Sequence, residues 1–198
     1  MKLGSRRKFD LPLVVVDTET TGLDAREYDP IQIGVVMLDE NLDEIDSFES
    51  LLRPHSSARS PRAMEVNKIS EAELKNAPSF KEAIWKLDGK LRALGFPLHG
   101  KYMDRTMFAA WNGSFDEQFV KEGCRKAEIS YPFGFPVDVK TLAVFNFAKR
   151  GFTFNPGHGG GVERALQLLG LEFEGSAHNA LADARNTARI LKTFWEAK

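Results

Sequence analysis

Asp17 and Glu19 stand one residue apart at the end of the run Val14-Val15-Val16. Residues i and i+2 of a strand share a face, so the two carboxylates should stand side by side. Adjacent carboxylates repel unless a cation lies between them, and a divalent ion held by oxygen ligands is the common remedy. The plainer reading is a buried strand running out into the polar loop Thr18 to Gly22. Two further acids are placed to join the pair. Asp116 falls in the first turn of a helix expected after Asn112-Gly113, and Asp183 lies beside the apolar stripe of the last helix. Four converging carboxylates are costly when empty but suit two Mg²⁺ or Mn²⁺ ions about 3.5–4 Å apart, clamping a phosphodiester. His178, with an ordinary pKa of roughly 6.5, would supply a base near neutral pH.

The elements that position these groups are legible as periodicities. After the first strand, Ile31, Ile33, Val35 and Met37 alternate with their neighbours and predict a second strand. A polar turn over 39–44 leads into a third strand near 45–52, forming an antiparallel hairpin with the second. A loop rich in Ser, Arg and Pro follows. Ser70 with Glu73 and Ser79 with Glu82 have capping-box spacing, the second opening a helix to about Leu94. A strand over 106–111 ends in the Asn112-Gly113 turn, and Ser114 with Glu117 predicts another capping box, with its helix reaching about Ala127. A short strand near Val137-Asp138, a helix over 141–149 and a glycine loop at 157–161 come next, the loop read as a flexible connector.

In the last helix Ala177, Leu181, Ala184, Ala188, Leu191 and Trp195 recur at steps of three and four. His178 lies five residues before Asp183, about 140° away on a regular helix, so both cannot face one site from inside it. His178 is therefore expected in a mobile turn before the helix, with Asn179 as N-cap. Strands alternating with helices after an opening hairpin make this an α/β protein with a mixed sheet and helices on both faces.

The 198 residues are read as a single domain, with 1–10 a flexible N-terminal tail. A net charge of −1 excludes coating nucleic acid by bulk positive charge but leaves room for gripping one chain end. The cluster Arg6-Arg7-Lys8 reads as part of the solvated tail. No apolar run reaches membrane-spanning length and the start lacks a signal-peptide core, so a cytoplasmic protein without a membrane partner is expected. The single Cys124 allows no internal disulfide. His55, His99 and His158 lie outside the acidic motifs and read as surface or loop residues.

Taken together, DTETTGL at 17–23, IQIGVV at 31–36, WNGSFDEQF at 111–119 and HNALADARNTA at 178–188 resemble the DEDDh family of 3′→5′ exonucleases, in the family's order and across nearly the whole chain. The resemblance implies an RNase H-like fold with a five-stranded mixed sheet whose second strand is antiparallel. It implies that Asp17, Glu19, Asp116 and Asp183 hold two divalent metal ions and that His178 is the general base. Nucleoside 5′-monophosphates would then be released from single-stranded DNA or RNA 3′ ends, with DNA placed first. Glu19 matches a residue near the terminal 3′-hydroxyl, Leu23 an apolar residue against the last base, and Phe115 part of the pocket wall. Thr20 and Asn112 join these as substrate-binding candidates. Core packing is the alternative for Leu23 and the favoured one for Phe115.

One position departs from the pattern. The family commonly has His-Asn where this chain has Trp111-Asn112, so Trp111 either fills the core or offers a stacking face. A proofreading polymerase subunit and an RNase T-like RNA-trimming enzyme are alternatives within the class, with a polymerase or a second copy as partner. The chain's end at Lys198, directly after the last helix, weighs against a polymerase-binding tail. From a different class, a non-catalytic nucleic-acid-binding module would be expected to lack an acid or the histidine, and all five are present.

Overall fold

The computed structural model describes residues 9, 12–98, 101, 104–155, 157 and 160–197. The Arg6-Arg7-Lys8 cluster, His99, and His158 with Gly159 of the glycine loop lie outside the described residues. Five strands, β1 Leu13–Thr20, β2 Pro30–Leu38, β3 Glu44–Leu51, β4 Met107–Ala110 and β5 Pro136–Asp138, form one sheet in the order β3-β2-β1-β4-β5. β2 runs antiparallel to β1 and β3, while β4 is parallel to both β1 and β5. The expected mixed sheet with its second strand antiparallel is therefore present.

β1 alternates between two cores. Val14 and Val16 pack with Ile33, Val35 and Met37 beneath helices α3 (Phe80–Ala93) and α4 (Gly113–Lys126). Leu13 and Val15 pack with Val36 and Leu38 on the opposite face, beneath α5 (Val139–Lys149), α6 (Val162–Leu168) and α7 (Ala180–Glu196). A central strand covered on both sides must be apolar at nearly every position. β2 is buried throughout.

Both early capping boxes form: Ser70 with Glu73 at the start of α2 (Glu71–Asn76), and Ser79 with Glu82 at the start of α3. The box at Ser114 and Glu117 does not. α4 begins earlier, at Gly113, with Asn112 as N-cap at φ 65°, a left-handed conformation that Asn tolerates. Ser114 is already helical, and Glu117 pairs instead with Lys121 at 2.8 Å. α1 (Pro61–Asn67) occupies part of the expected loop, with Pro61 in its first turn, and α6 follows the glycine loop where no helix is expected. Phe9, assigned to the flexible tail, donates its N–H to the Glu40 carbonyl and packs edge-on against Trp195.

α7 lies on the sheet where β2 has no side chain. A Cβ at Gly34 would fall 2.3 Å from the Ala180 carbonyl carbon and from the Leu181 amide nitrogen. These are backbone atoms and cannot swing aside. Gly34→Ala is expected to cost about 1–3 kcal/mol and lower the Tm by up to roughly 10 °C. Thermal unfolding followed by circular dichroism checks this, and an unchanged Tm would contradict the seating of α7 on Gly34. Among the described residues, no helix is long and apolar enough to cross a membrane.

Candidate active site

The end of β1 presents its two acids as strand geometry requires. Asp17 and Glu19 project to the α7 side, where Asp183 meets them: one carboxylate oxygen from each lies within 4.8 Å of the others. Asp183 sits in the first turn of α7, close to the helix amides. Its Oδ2 accepts the His178 backbone N–H at 2.9 Å. His178 is exposed in the turn before α7 at φ 62°, outside the helix as its spacing predicts. The N-cap is Asn179, whose side chain accepts from the Ala182 N–H. Ala177, placed on the helical stripe, lies in that turn and is exposed, so the stripe starts at Ala180.

Asp116 arrives from the other face. It is buried in the first turn of α4, and its Oδ1 accepts both the Thr18 backbone N–H at 2.9 Å and the Thr18 hydroxyl at 2.7 Å. Thr18, between the two β1 acids, points to the α4 side by the same alternation that points them to α7. It tethers Asp116 beneath the strand end. Sequence reasoning missed this role, although the alternation itself was the signal.

A second set of polar contacts sets the position of α7. Glu49 Oε1 on β3 accepts from Gln32 Nε2 at 2.9 Å and from Asn179 Nδ2 at 2.7 Å, while Gln32 Oε1 accepts the Ala180 N–H at 3.1 Å. The N-terminus carrying His178 and Asp183 is thereby tied to two strands.

Burial raises the pKa of all four acids, and their proximity raises several further. Asp17 is held well above the ordinary carboxylate range by burial and then by Asp116, Asp183 and Glu19. Burial, with Asp183 and Asp116, pushes Glu19 up to about 7. Asp116 is raised by burial against the opposing pull of its Thr18 hydrogen bonds, and Asp183 by burial against the His178 N–H. No Lys or Arg forms an ion pair with any of the four among the described residues. An all-oxygen acidic set without a cationic side chain fits hard divalent ions such as Mg²⁺ or Mn²⁺.

The shifts have a consequence for stability. An acid whose pKa is higher folded than unfolded keeps its proton longer in the folded state, so between the unfolded value near 4.5 and the folded value of about 7 the folded protein binds more protons. Stability contributed by this cluster is full below that window and is lost as pH rises through it. The metal-free protein is expected to lose thermal stability from about pH 5 to about pH 8, with Mn²⁺ restoring it at the alkaline end. Thermal scans with EDTA and with Mn²⁺ measure this; a metal-free Tm that climbs across the window would contradict it.

The remaining candidates occupy distinct settings. Leu23 is 82% exposed, which removes core packing as its explanation. Phe115 is half-buried with its ring 4.9 Å from Phe119. Thr20 is buried and its hydroxyl donates to the Gly22 carbonyl at 2.6 Å, so it shapes the turn that carries Leu23. Asn112 is exposed at the N-cap of α4. Trp111 is half-buried and packs edge-on against Phe154 at 6.1 Å, against the core on the α7 side.

The mixed five-stranded sheet, with carboxylates gathered at the end of its first strand, has an RNase H-like fold. The chain belongs to the RNase T exonuclease family, whose profile matches residues 14–191, and within it to the DEDDh, DnaQ-like type. It is 31% identical over 181 residues to DNA polymerase III subunit epsilon of Treponema pallidum, covering 90% of this chain and 74% of that one. It is 28% identical over 187 residues to a DNA polymerase III PolC-type of Thermotoga petrophila, where the match covers 92% of this chain but spans only 12% of the polymerase. In fold it resembles the nuclease domain of 3′hExo, a DEDDh family member bound to rAMP, with a TM-score of 0.73, 21% identity, and coverage of 92% of this chain and 90% of that one.

Proposed function

We propose that this chain hydrolyses single-stranded nucleic acid from the 3′ end, DNA ahead of RNA, releasing nucleoside 5′-monophosphates. The observation that supports this most is the meeting of Asp17, Glu19 and Asp183 at one strand end, with Asp116 tethered behind them and His178 hinged on Asp183. Asp17, Glu19, Asp116 and Asp183 would hold two divalent cations, Mg²⁺ or Mn²⁺, whose chemistry is to activate water and to neutralise charge on the scissile phosphate and leaving oxygen. His178 takes the proton of the attacking water. Its exposed turn lets the imidazole reach a substrate that the buried acids cannot follow. Glu19 lies where a terminal 3′-hydroxyl would be read. Leu23 packs on the last base and Phe115 lines the pocket beside it. Asn112 and the Thr20 turn shape its rim.

Residues 1–198 would act as one exonuclease domain in the cytoplasm. The likeness to a polymerase epsilon subunit along 90% of this chain favours proofreading, with a polymerase as partner, as the second reading. RNA trimming by a homodimer is the third. Filled acid and histidine positions argue against a non-catalytic binding module. Chromatography of the products from matched DNA and RNA strands tests the proposal. Nucleoside 5′-monophosphates are expected; nucleoside 3′-monophosphates or internal fragments would overturn it.

A further inference from the structure

A cavity of about 420 Å³ opens between the start of α3 and the end of α4, lined in part by Asp29, Arg53, His55, Ser79, Lys81 and Lys126. Its charge is unevenly committed. Lys126 pairs with buried Asp29 at 2.8 Å and also donates to two carbonyls of the 25–28 loop, so this pair is structural. Elsewhere on α3 and α4, Lys90 pairs with Asp46, Arg92 with Asp88, Lys121 with Glu117 and Arg125 with Glu122. At the cavity, neither Arg53 nor Lys81 has a carboxylate partner among the described residues. Glu82, close enough to feel the charge of Arg53, is hydrogen-bonded to the Ser79 N–H and hydroxyl, both at 2.7 Å. The Lys81 ammonium lies 5.1 Å from the centre of the Trp85 ring, which is 59% exposed, so cations and a stacking face adjoin one rim.

The cavity lies at the same end of the sheet as the acids, on the α3–α4 face from which Asp116 arrives. Glu19 pairs with Gln32 and Gln32 with Leu51, two residues before Arg53, so Arg53 is about two strand spacings of ~4.8 Å across the sheet from Glu19. α4 spans the same gap: Asp116 is in its first turn and Lys126 at its end, about 15 Å apart at ~1.5 Å per residue. A strand with its 3′ end at the acids would cover 10–15 Å in about three to four nucleotides at ~3.4 Å each.

We infer that Arg53 and Lys81, with Trp85 at their edge, form a second binding site for the substrate strand, holding backbone phosphates and a base about three to four nucleotides from the 3′ end. This rests on the proposed exonuclease reading. Basic side chains beside an aromatic face grip single strands without selecting sequence, and each phosphate neutralised adds about 0.7 to the salt slope of binding. Such a site gives a nearly neutral protein a short electrostatic track where it needs one.

The test compares wild type with Arg53→Gln and Lys81→Gln together, using a thymidine dodecamer that reaches the cavity and a dinucleotide that does not. Dodecamer binding is measured in EDTA over a range of salt, and hydrolysis of both oligomers with Mg²⁺. Dodecamer affinity is expected to fall about tenfold and its salt slope by about 1.4, with dinucleotide kcat/KM and Tm unchanged. Arg53→Lys and Lys81→Arg together, which keep both charges, should retain the slope. Unchanged dodecamer affinity and slope would overturn the inference, as would a parallel loss on the dinucleotide. Dodecamer binding that depends on these cations, without hydrolysis of either oligomer by the wild type, would support the second site and refute the exonuclease reading.

Discussion

Asp17→Asn is expected to lower single-strand hydrolysis by at least about 10²–10³-fold, the scale on which removing one group from an electrostatic transition-state site acts. It should not unfold the protein. Asp17 is the acid crowded by all three others, so exchanging it for a neutral amide of the same shape relieves repulsion. The metal-free Tm should therefore stay level or rise, and Mn²⁺ should stabilise the variant less than the wild type. Initial rates and thermal scans on the same preparation check both halves. A variant that loses activity together with several degrees of metal-free Tm would show that Asp17 supports the fold, and the metal assignment would lose its main support.

His178→Ala is expected to slow hydrolysis by about 10²–10⁴-fold, the usual contribution of a positioned general base. Because the tie to Asp183 runs through the backbone N–H of residue 178, the substitution leaves that bond in place. His178 already carries the Cβ cost of the left-handed conformation at φ 62° and alanine carries the same, so the Tm should stay close to that of the wild type. Affinity for a single-stranded 3′ end should be retained. Rates and binding measured side by side distinguish the outcomes: full activity would reject His178 as the base, whereas lost binding would assign it to substrate capture.

How much of this was readable in the chain depends on the range of each interaction. The β1 acids share a face because strand alternation is local, and Asn179 caps α7 because capping is decided within three residues. The geometric conflict between His178 and Asp183 within one helix placed the histidine in the preceding turn without any tertiary information. Longer-range features were hidden. Thr18 meets Asp116 across 98 residues only because α4 crosses beneath β1, and Glu49 meets Asn179 across 130 only because β3 adjoins β2. Ser114 and Glu117 had the right spacing for a capping box but the helix had already started, since Asn112 accepts a left-handed conformation and lets the chain turn two residues sooner. Trp111, open between core and stacking roles, is half-buried against Phe154, a partner no local pattern indicates. Leu23 was equally balanced between core and base, and its exposure follows from the turn that Thr20 and Gly22 close.

We propose that these acids and His178 remove nucleotides from a 3′ end in a metal-dependent reaction. Its most direct test is a time course on a 5′-labelled single strand with Mg²⁺ or Mn²⁺, repeated in EDTA. A ladder that shortens one nucleotide at a time from the 3′ end, and vanishes in EDTA, is the predicted result. Immediate appearance of a labelled mononucleotide, internal cutting, or a ladder that persists in EDTA would contradict it.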